Sequence, residues 1–180
     1  MHAEIPWHPV KPIRGGCPLD DLYEEFAGDP KWVCQAKLDG RRALWDGSTL
    51  WSRQGNRLDQ CKPILELLRK YASGVELDGE YMVVKGTSQK EACFYPFDIP
   101  THHKKPLSKR WGLLMGVLEP MVGSGLVEPC PHDVTWEQVE TNGWEGVVFK
   151  RLSSFYKRGI SPGQTTPSWI KYRAEWLPPH

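Results

Sequence analysis

The stretch that most constrains this chain is residues 32–45, WVCQAKLDGRRALW. Two apolar runs, Trp32-Val33-Cys34 and Ala43-Leu44-Trp45, flank a lysine, an Asp-Gly pair and two arginines. Apolar runs on either side of Asp-Gly read as strand, turn, strand. Lys37 therefore stands where a strand gives way to a turn. A lysine amine attacks only when neutral, and its ordinary pKa is about 10.4. Desolvation, or cations such as Arg41 and Arg42 nearby, favours the neutral form, so Lys37 is a candidate nucleophile. Taken alone, the same residues describe a hairpin with a solvated lysine, and a motif this short does not decide between the two.

The rest of the chain supplies more strands and helices at short spacing. Residues 19–27 place Leu19, Leu22, Tyr23 and Phe26 on one helical face, with acids near the start. Strands are expected at 32–38, 42–46 and 49–53, the last two joined by Asp46-Gly47-Ser48. Residues 62–72 form an amphipathic helix with Pro63 in its first turn, closed by Gly74. Residues 75–84 read as strand, turn or bulge, strand. Residues 91–98 read as a strand that Pro96 pushes to an edge. Helices follow at 107–119, weakened by Gly112 and Gly116, and at 134–142. Residues 146–152 and 168–173 are strands, separated by a Ser/Gly/Pro/Thr loop at 153–167. Residues 1–18 read as an irregular leader. Adjacent strands with interspersed helices predict an α+β fold, with two largely antiparallel sheets flanked by helices.

Composition narrows the class. At 180 residues the chain suits one domain, residues 1–180. Its net charge of +1 gives no global basic field, so any nucleic-acid contact depends on local clusters. Such clusters are Lys104, Lys105, Lys109 and Arg110, then Lys150-Arg151 and Lys157-Arg158; each also reads as an ordinary solvated surface. The five cysteines are odd in number, scattered and never in C-x-x-C, which favours reduced thiols and an intracellular protein. No apolar run approaches about 18 residues, so no transmembrane helix is expected. The N-terminus lacks the pattern of a signal peptide.

A series of segments, in order, resembles the signature of the covalent nucleotidyltransferases: ATP-dependent DNA ligases, RNA ligases and mRNA-capping enzymes. Lys37-Leu38-Asp39-Gly40-Arg41-Arg42 is similar to K-x-D-G-x-R. Ser52-Arg53-Gln54-Gly55 is similar to S-R-x-G, and Leu77-Asp78-Gly79-Glu80 to the D-G-E segment. Phe97-Asp98 resembles the aromatic-Asp segment. Residues 145–151, EGVVFKR, resemble E-G-V-V-x-K/R, and Trp169-Ile170-Lys171-Tyr172-Arg173 resembles the closing K-x-K. These segments span residues 37–173, and their wording is closest to ATP-dependent DNA ligases.

The resemblance implies an adenylation domain with its nucleotide pocket between the two sheets. Lys37 would attack the α-phosphorus of ATP to form lysyl-AMP. AMP would pass to a 5′-phosphate at a DNA nick, and the 3′-hydroxyl would seal it. Lys171 and Arg173 would stabilise the α-phosphate, with Asp39 in the catalytic turn. Gln35, Ala36, Arg42, Glu80 and Phe97 would line the nucleotide site. Within it, Arg42 would lie near the ribose or the terminal phosphates, Glu80 on the ribose hydroxyls and Phe97 on the adenine, with core packing as the competing role for Phe97. Glu145 would hold Mg²⁺, for which Mn²⁺ can substitute. Arg53 would grip a nucleic-acid phosphate, and Lys150 and Arg158 would contact nucleic acid. Side-chain alternation independently puts Gln35 with Lys37, Asp78 with Glu80 and Lys171 with Arg173 on common strand faces.

Three departures qualify this expectation. Gln35 stands where many DNA ligases have an acid. Arg173 replaces the second lysine of the closing motif, and arginine is not an isostere of lysine. The chain ends seven residues after Arg173, so no OB-fold domain is expected within it, and an OB-fold or DNA-binding partner in trans is a corollary. A monomer acting on nicked DNA is expected, without membrane contact. The alternatives are RNA as substrate, a capping-type guanylyltransferase that uses GTP, and a nucleotide- or nick-binding module without turnover.

Overall fold

The computed structural model describes residues 5–83, 92–159 and 161–177. The ends of the strands expected at 75–84 and 91–98, the start of the leader and residue 160 of the loop lie outside the described residues. The elements in order are β1 (His8–Pro9), β2 (Lys11–Arg14), α1 (Asp21–Gly28), β3 (Trp32–Lys37), β4 (Arg41–Trp45), β5 (Leu50–Ser52), α2 (Lys62–Tyr71), β6 (Leu77–Val83), β7 (Ala92–Asp98), α3 (Leu107–Leu118), α4 (Trp136–Asn142), β8 (Gly146–Arg151), β9 (Arg158–Gly159) and β10 (Thr165–Arg173).

Among the described residues the strands form two four-stranded sheets, ordered β2-β10-β8-β3 and β5-β4-β6-β7, and a two-stranded ribbon of β1 and β9. The fold is α+β, and the sheets are antiparallel except that β2 runs parallel to β10. Local chemistry sets the element ends. Asp20 caps α1 by accepting from Tyr23 N–H at 2.7 Å, and Thr135 and Gln138 make a reciprocal capping box on α4. Asp46 Oδ1 accepts from the backbone N–H groups of Ser48 and Thr49, while Gly47 takes φ +95° in the β4–β5 turn. Pro96 is accommodated because β7 ends its sheet.

Each sheet buries its outer face under helices. Trp45, Leu77, Phe94, Ile64, Leu68 and Leu114 form a core under α2 and α3. Ala36, Val147, Phe149 and Tyr172 form a second core with Tyr23 of α1 and Val139 of α4. A smaller cluster of Trp7, Leu44, Tyr156 and Trp169 lies apart from both.

Two expectations need correction. The leader is not irregular: β1 and β2 lie within it, Trp7 and Val10 are buried, and β2 extends the sheet that carries Lys37. Its prolines obscured the pattern. Of the turn or bulge expected within 75–84, the structure has a register shift against β7 between Asp78 and Gly79, inside one strand at 77–83. Arg110 is not part of a surface cluster. It is fully buried, with its guanidinium on both oxygens of fully buried Asp98 at 2.7 and 2.9 Å and on the carbonyls of Lys105 and Ser154. No helix among the described residues is long and apolar enough to cross a membrane.

Removing one partner of such a pair strands the other charge in the core. Arg110→Met is expected to cost about 3–5 kcal/mol in urea denaturation. Arg110→Met with Asp98→Leu is expected to recover much of that loss, since no unpaired carboxylate remains.

Candidate active site

A pocket of about 660 Å³ is lined by residues of both sheets, including Gln35, Lys37, Arg42, Glu80, Phe97, Glu145, Lys171 and Arg173. Ala36, Asp39, Arg53 and Lys150 also line it. Arg158 does not. Its guanidinium pairs with Glu76, and it stacks 5.3 Å from the Trp7 ring centroid. The structure therefore gives Arg158 a role in holding β9 beside β6, not a place in this pocket.

Lys37 ends β3, and Gly146 lies opposite it on β8. Glu145, just before β8, has its backbone N–H on Lys37 O at 2.9 Å, and its carbonyl accepts from Ala174 N–H at 2.9 Å. These bonds hold its carboxylate between two cations. One oxygen meets Lys37 Nζ, and the other lies 2.7 Å from Arg173 Nε. Gly146 permits this crowding. It takes φ +153°, and a Cβ there would fall 2.0 Å from Tyr172 O and 2.8 Å from Arg173 Cα. Arg173 also pairs with Glu175 at 2.9 Å. Lys171 is on the same strand; burial, then Arg173 and Lys37, push its pKa below the usual lysine value.

Across the pocket, Arg42 of β4 stands opposite Glu80 of β6 and diagonal to Asp78. Its guanidinium grips Asp78 at 2.9 and 2.5 Å and donates to Val10 O. Asp78 Oδ2 also accepts from Tyr156 OH at 2.6 Å, and that hydroxyl accepts from Trp7 Nε1 at 2.9 Å. Arg42 is thus held by protein partners while it lines the pocket opposite Glu80. Glu80 is half-buried. Desolvation pushes its pKa up to about 7, against the opposing pull of Lys37 and Arg42. Gly40 donates its N–H to Glu80, and a Cβ at Gly40 would lie 2.7 Å from Tyr81 O, so the Asp-Gly turn has to be glycine to sit against β6.

Phe97 is both wall and core. It packs edge-on to Trp169 at 6.2 Å between centroids and lines the pocket. Lys150 is buried at 3% exposure, with Nζ 4.2 Å from the centroids of both Phe97 and Trp169. It has no hydrogen-bond partner among the described residues. Burial pulls its pKa down to about 8. The expected Lys150-Arg151 surface cluster is therefore split, with Lys150 inside and Arg151 exposed. Gln35 is also buried in the pocket, and its Nε2 likewise lacks a partner among the described residues. Arg53 stands exposed at the rim.

Residues that sequence reasoning missed are Trp7, Val10 and Tyr156, which hold Arg42, and Trp169, which walls the pocket with Phe97. The sequence signals were Trp7 in the stretch read as leader, Tyr156 in the stretch read as loop and Trp169 in the last expected strand.

Comparison with known proteins agrees with this geometry. No family model matches the chain. A DNA ligase of Haemophilus influenzae is 29% identical over 144 residues, covering 71% of this chain and 54% of that protein. The chain therefore spans about half the length of the curated relative it matches. The ligase domain of M. tuberculosis LigD superposes with a TM-score of 0.70 at 22% identity, over 93% of this chain and 59% of that one. A mycobacterial DNA ligase D complexed with ATP and MES gives a TM-score of 0.67 at 23% identity, over 93% and 60%. With the ordered K-x-D-G to K-x-R segments gathered around one pocket, the chain has the fold of the adenylation domain of ATP-dependent DNA ligases.

Proposed function

We propose that this chain is the catalytic core of an ATP-dependent DNA ligase, taking AMP from ATP onto Lys37 and passing it to the 5′-phosphate at a nick. The observation that carries this reading is the arrangement at Lys37: its Nζ lies against the Glu145 carboxylate, with Arg173 on the carboxylate's other oxygen and Lys171 on the same strand as Arg173. A primary amine, a carboxylate able to take its proton and two further cations are what attack on a phosphate ester requires.

In the first step Lys37 Nζ forms the P–N bond as the bond to pyrophosphate breaks, and its proton passes to Glu145. Lys171 and Arg173 oppose the charge that accumulates on the α-phosphate oxygens. Glu80, when ionised, accepts hydrogen bonds from ribose hydroxyls. Phe97 offers its face to the base, and such stacking contributes about 1–3 kcal/mol. An anionic ligand also supplies what buried Lys150 lacks. AMP then moves to the 5′-phosphate, held by Arg53, and the 3′-hydroxyl displaces it.

The donor set fits Mg²⁺ through Glu145, a hard oxygen ligand beside Lys37. Both of its oxygens already face cations, which favours contact through water. A bound divalent ion supplies further neutralisation of phosphate charge.

Incubation with α-labelled ATP and Mg²⁺ is expected to label the protein, and Lys37→Ala to abolish labelling. Absence of label on the wild type, with Mn²⁺ also tried, would overturn the reading, and transfer from GTP in place of ATP would assign it to the capping type.

Glu80 gives a second test. Its folded pKa of about 7 exceeds the ordinary 4.5, so its contribution to stability is greatest at acid pH and declines as pH rises from 4.5 through 7. Glu80→Gln is expected to be more stable than wild type at pH 8 by about 1–3 kcal/mol and indistinguishable at pH 4.5, by denaturant titration. The same variant is expected to label poorly at every pH, whereas wild-type labelling falls as pH drops below about 7.

A further inference from the structure

Three segments remote in sequence meet at the end of the Lys37 sheet farthest from Lys37. Leu152 N–H bonds Lys31 O at 2.8 Å, Tyr156 N–H bonds His103 O at 3.2 Å, and Leu107 and Ser108 N–H bond the carbonyls of Ser154 and Leu152 at 2.9 and 3.0 Å. Pro106 and Phe155 bridge the same seam. Beneath it, buried Arg110 ties Lys105 O and Ser154 O together at 2.7 and 2.8 Å. The seam is therefore built, and it does not depend on loop contacts alone.

Its outer surface is predominantly basic. Lys31, Lys104, Lys105, Lys109, Arg151 and Lys157 are all exposed. Residues 30–32, 101–110 and 150–158 contain no acid. Of the acids next to these segments, Asp29 accepts from Lys31 N–H at 2.9 Å, and Glu76 is engaged by Arg158. Phe155, in the same segment as Arg151 and Lys157, is 59% exposed. In a chain whose net charge is +1, such a surface is a local concentration of charge and not a share of a general excess.

We infer that this basic seam is a second nucleic-acid contact, which holds the phosphate backbone of the duplex away from the nick. The inference rests on the ligase reading of the pocket. The geometry fits a duplex. Lys37 lies opposite Gly146 and Trp32 opposite Arg151, so the seam stands five strand residues from the nucleophile. At about 3.3 Å per residue that is roughly 17 Å, or about five base pairs along the DNA axis. The cations grip phosphates without reading sequence, and Phe155 offers apolar surface to sugar or base.

The test uses the whole chain and a nicked DNA duplex, with binding measured against salt. Lys104→Ala, Lys105→Ala and Arg151→Ala combined are expected to weaken binding about tenfold or more and to lower the slope of log K on log salt by about 2–3, near 0.9 for each lost phosphate. AMP loading from labelled ATP is expected to stay at the wild-type level, because none of the three lines the pocket. The control removes as many exposed cations from α2, as Lys62→Ala, Arg69→Ala and Lys70→Ala. Unchanged affinity and slope in the seam variant would overturn the inference, as would an equal loss in the α2 variant, which would indicate bulk charge alone. If the wild type takes no AMP, the ligase reading fails, and the salt slope still judges the seam.

Discussion

Two aspartates placed side by side in the interior set the terms for the rest of the molecule. Asp78 of β6 and Asp98 of β7 are register partners, and both are essentially inaccessible to water. Two adjacent carboxylates in a low-dielectric interior are tolerated only if each is neutralised and hydrogen-bonded. Arg42 serves Asp78 and Arg110 serves Asp98, each through two contacts. Lys150 is the third buried cation of the group. Three cations face two carboxylates; Arg42 and Lys150 both line the pocket, and of these Lys150 has no hydrogen-bond partner among the described residues. The interior thus presents a surplus positive charge to the pocket, at the place where a polyanionic nucleotide is proposed to bind.

The same group joins remote parts of the chain. Through Arg42 and Tyr156, Asp78 reaches Val10 and Trp7, so the N-terminal strands are tied to the pocket wall by a continuous hydrogen-bonded path. Through Arg110, Asp98 reaches Lys105 and Ser154 and fixes the basic seam. One polar cluster therefore orients both the wall of the nucleotide pocket and the surface proposed to carry DNA. An apolar replacement would fill the volume but would hold neither segment in place.

Much of this was legible in the sequence because the relevant signals are local. The Asp46-Gly47-Ser48 turn and the two-residue alternation through Gln35-Lys37 and Lys171-Arg173 each depend on neighbours within a few residues. The leader was misread because prolines and glycines suppress strand propensity, while pairing with β10, more than 150 positions away, supplies the missing order. Arg110 and Lys150 were misread for a related reason. A charged residue in a basic run looks solvated unless its partner is known, and Asp98 and the Phe97–Trp169 pair come from other elements. Burial of charge is a tertiary fact that composition does not encode.

Electrostatic balance at Lys37 follows from the same principle. Its ammonium is held by Glu145, and Glu145 is shared with Arg173, so the nucleophile is restrained by a carboxylate that is itself drawn in two directions. A triphosphate entering this pocket competes with Glu145 for both cations. As Arg173 turns toward phosphate, one oxygen of the carboxylate is released from its counter-charge while the other stays on Lys37. An arginine in place of the second closing-motif lysine suits this arrangement, because its planar fork can hold Glu145 and Glu175 together and exchange one for phosphate while keeping the other.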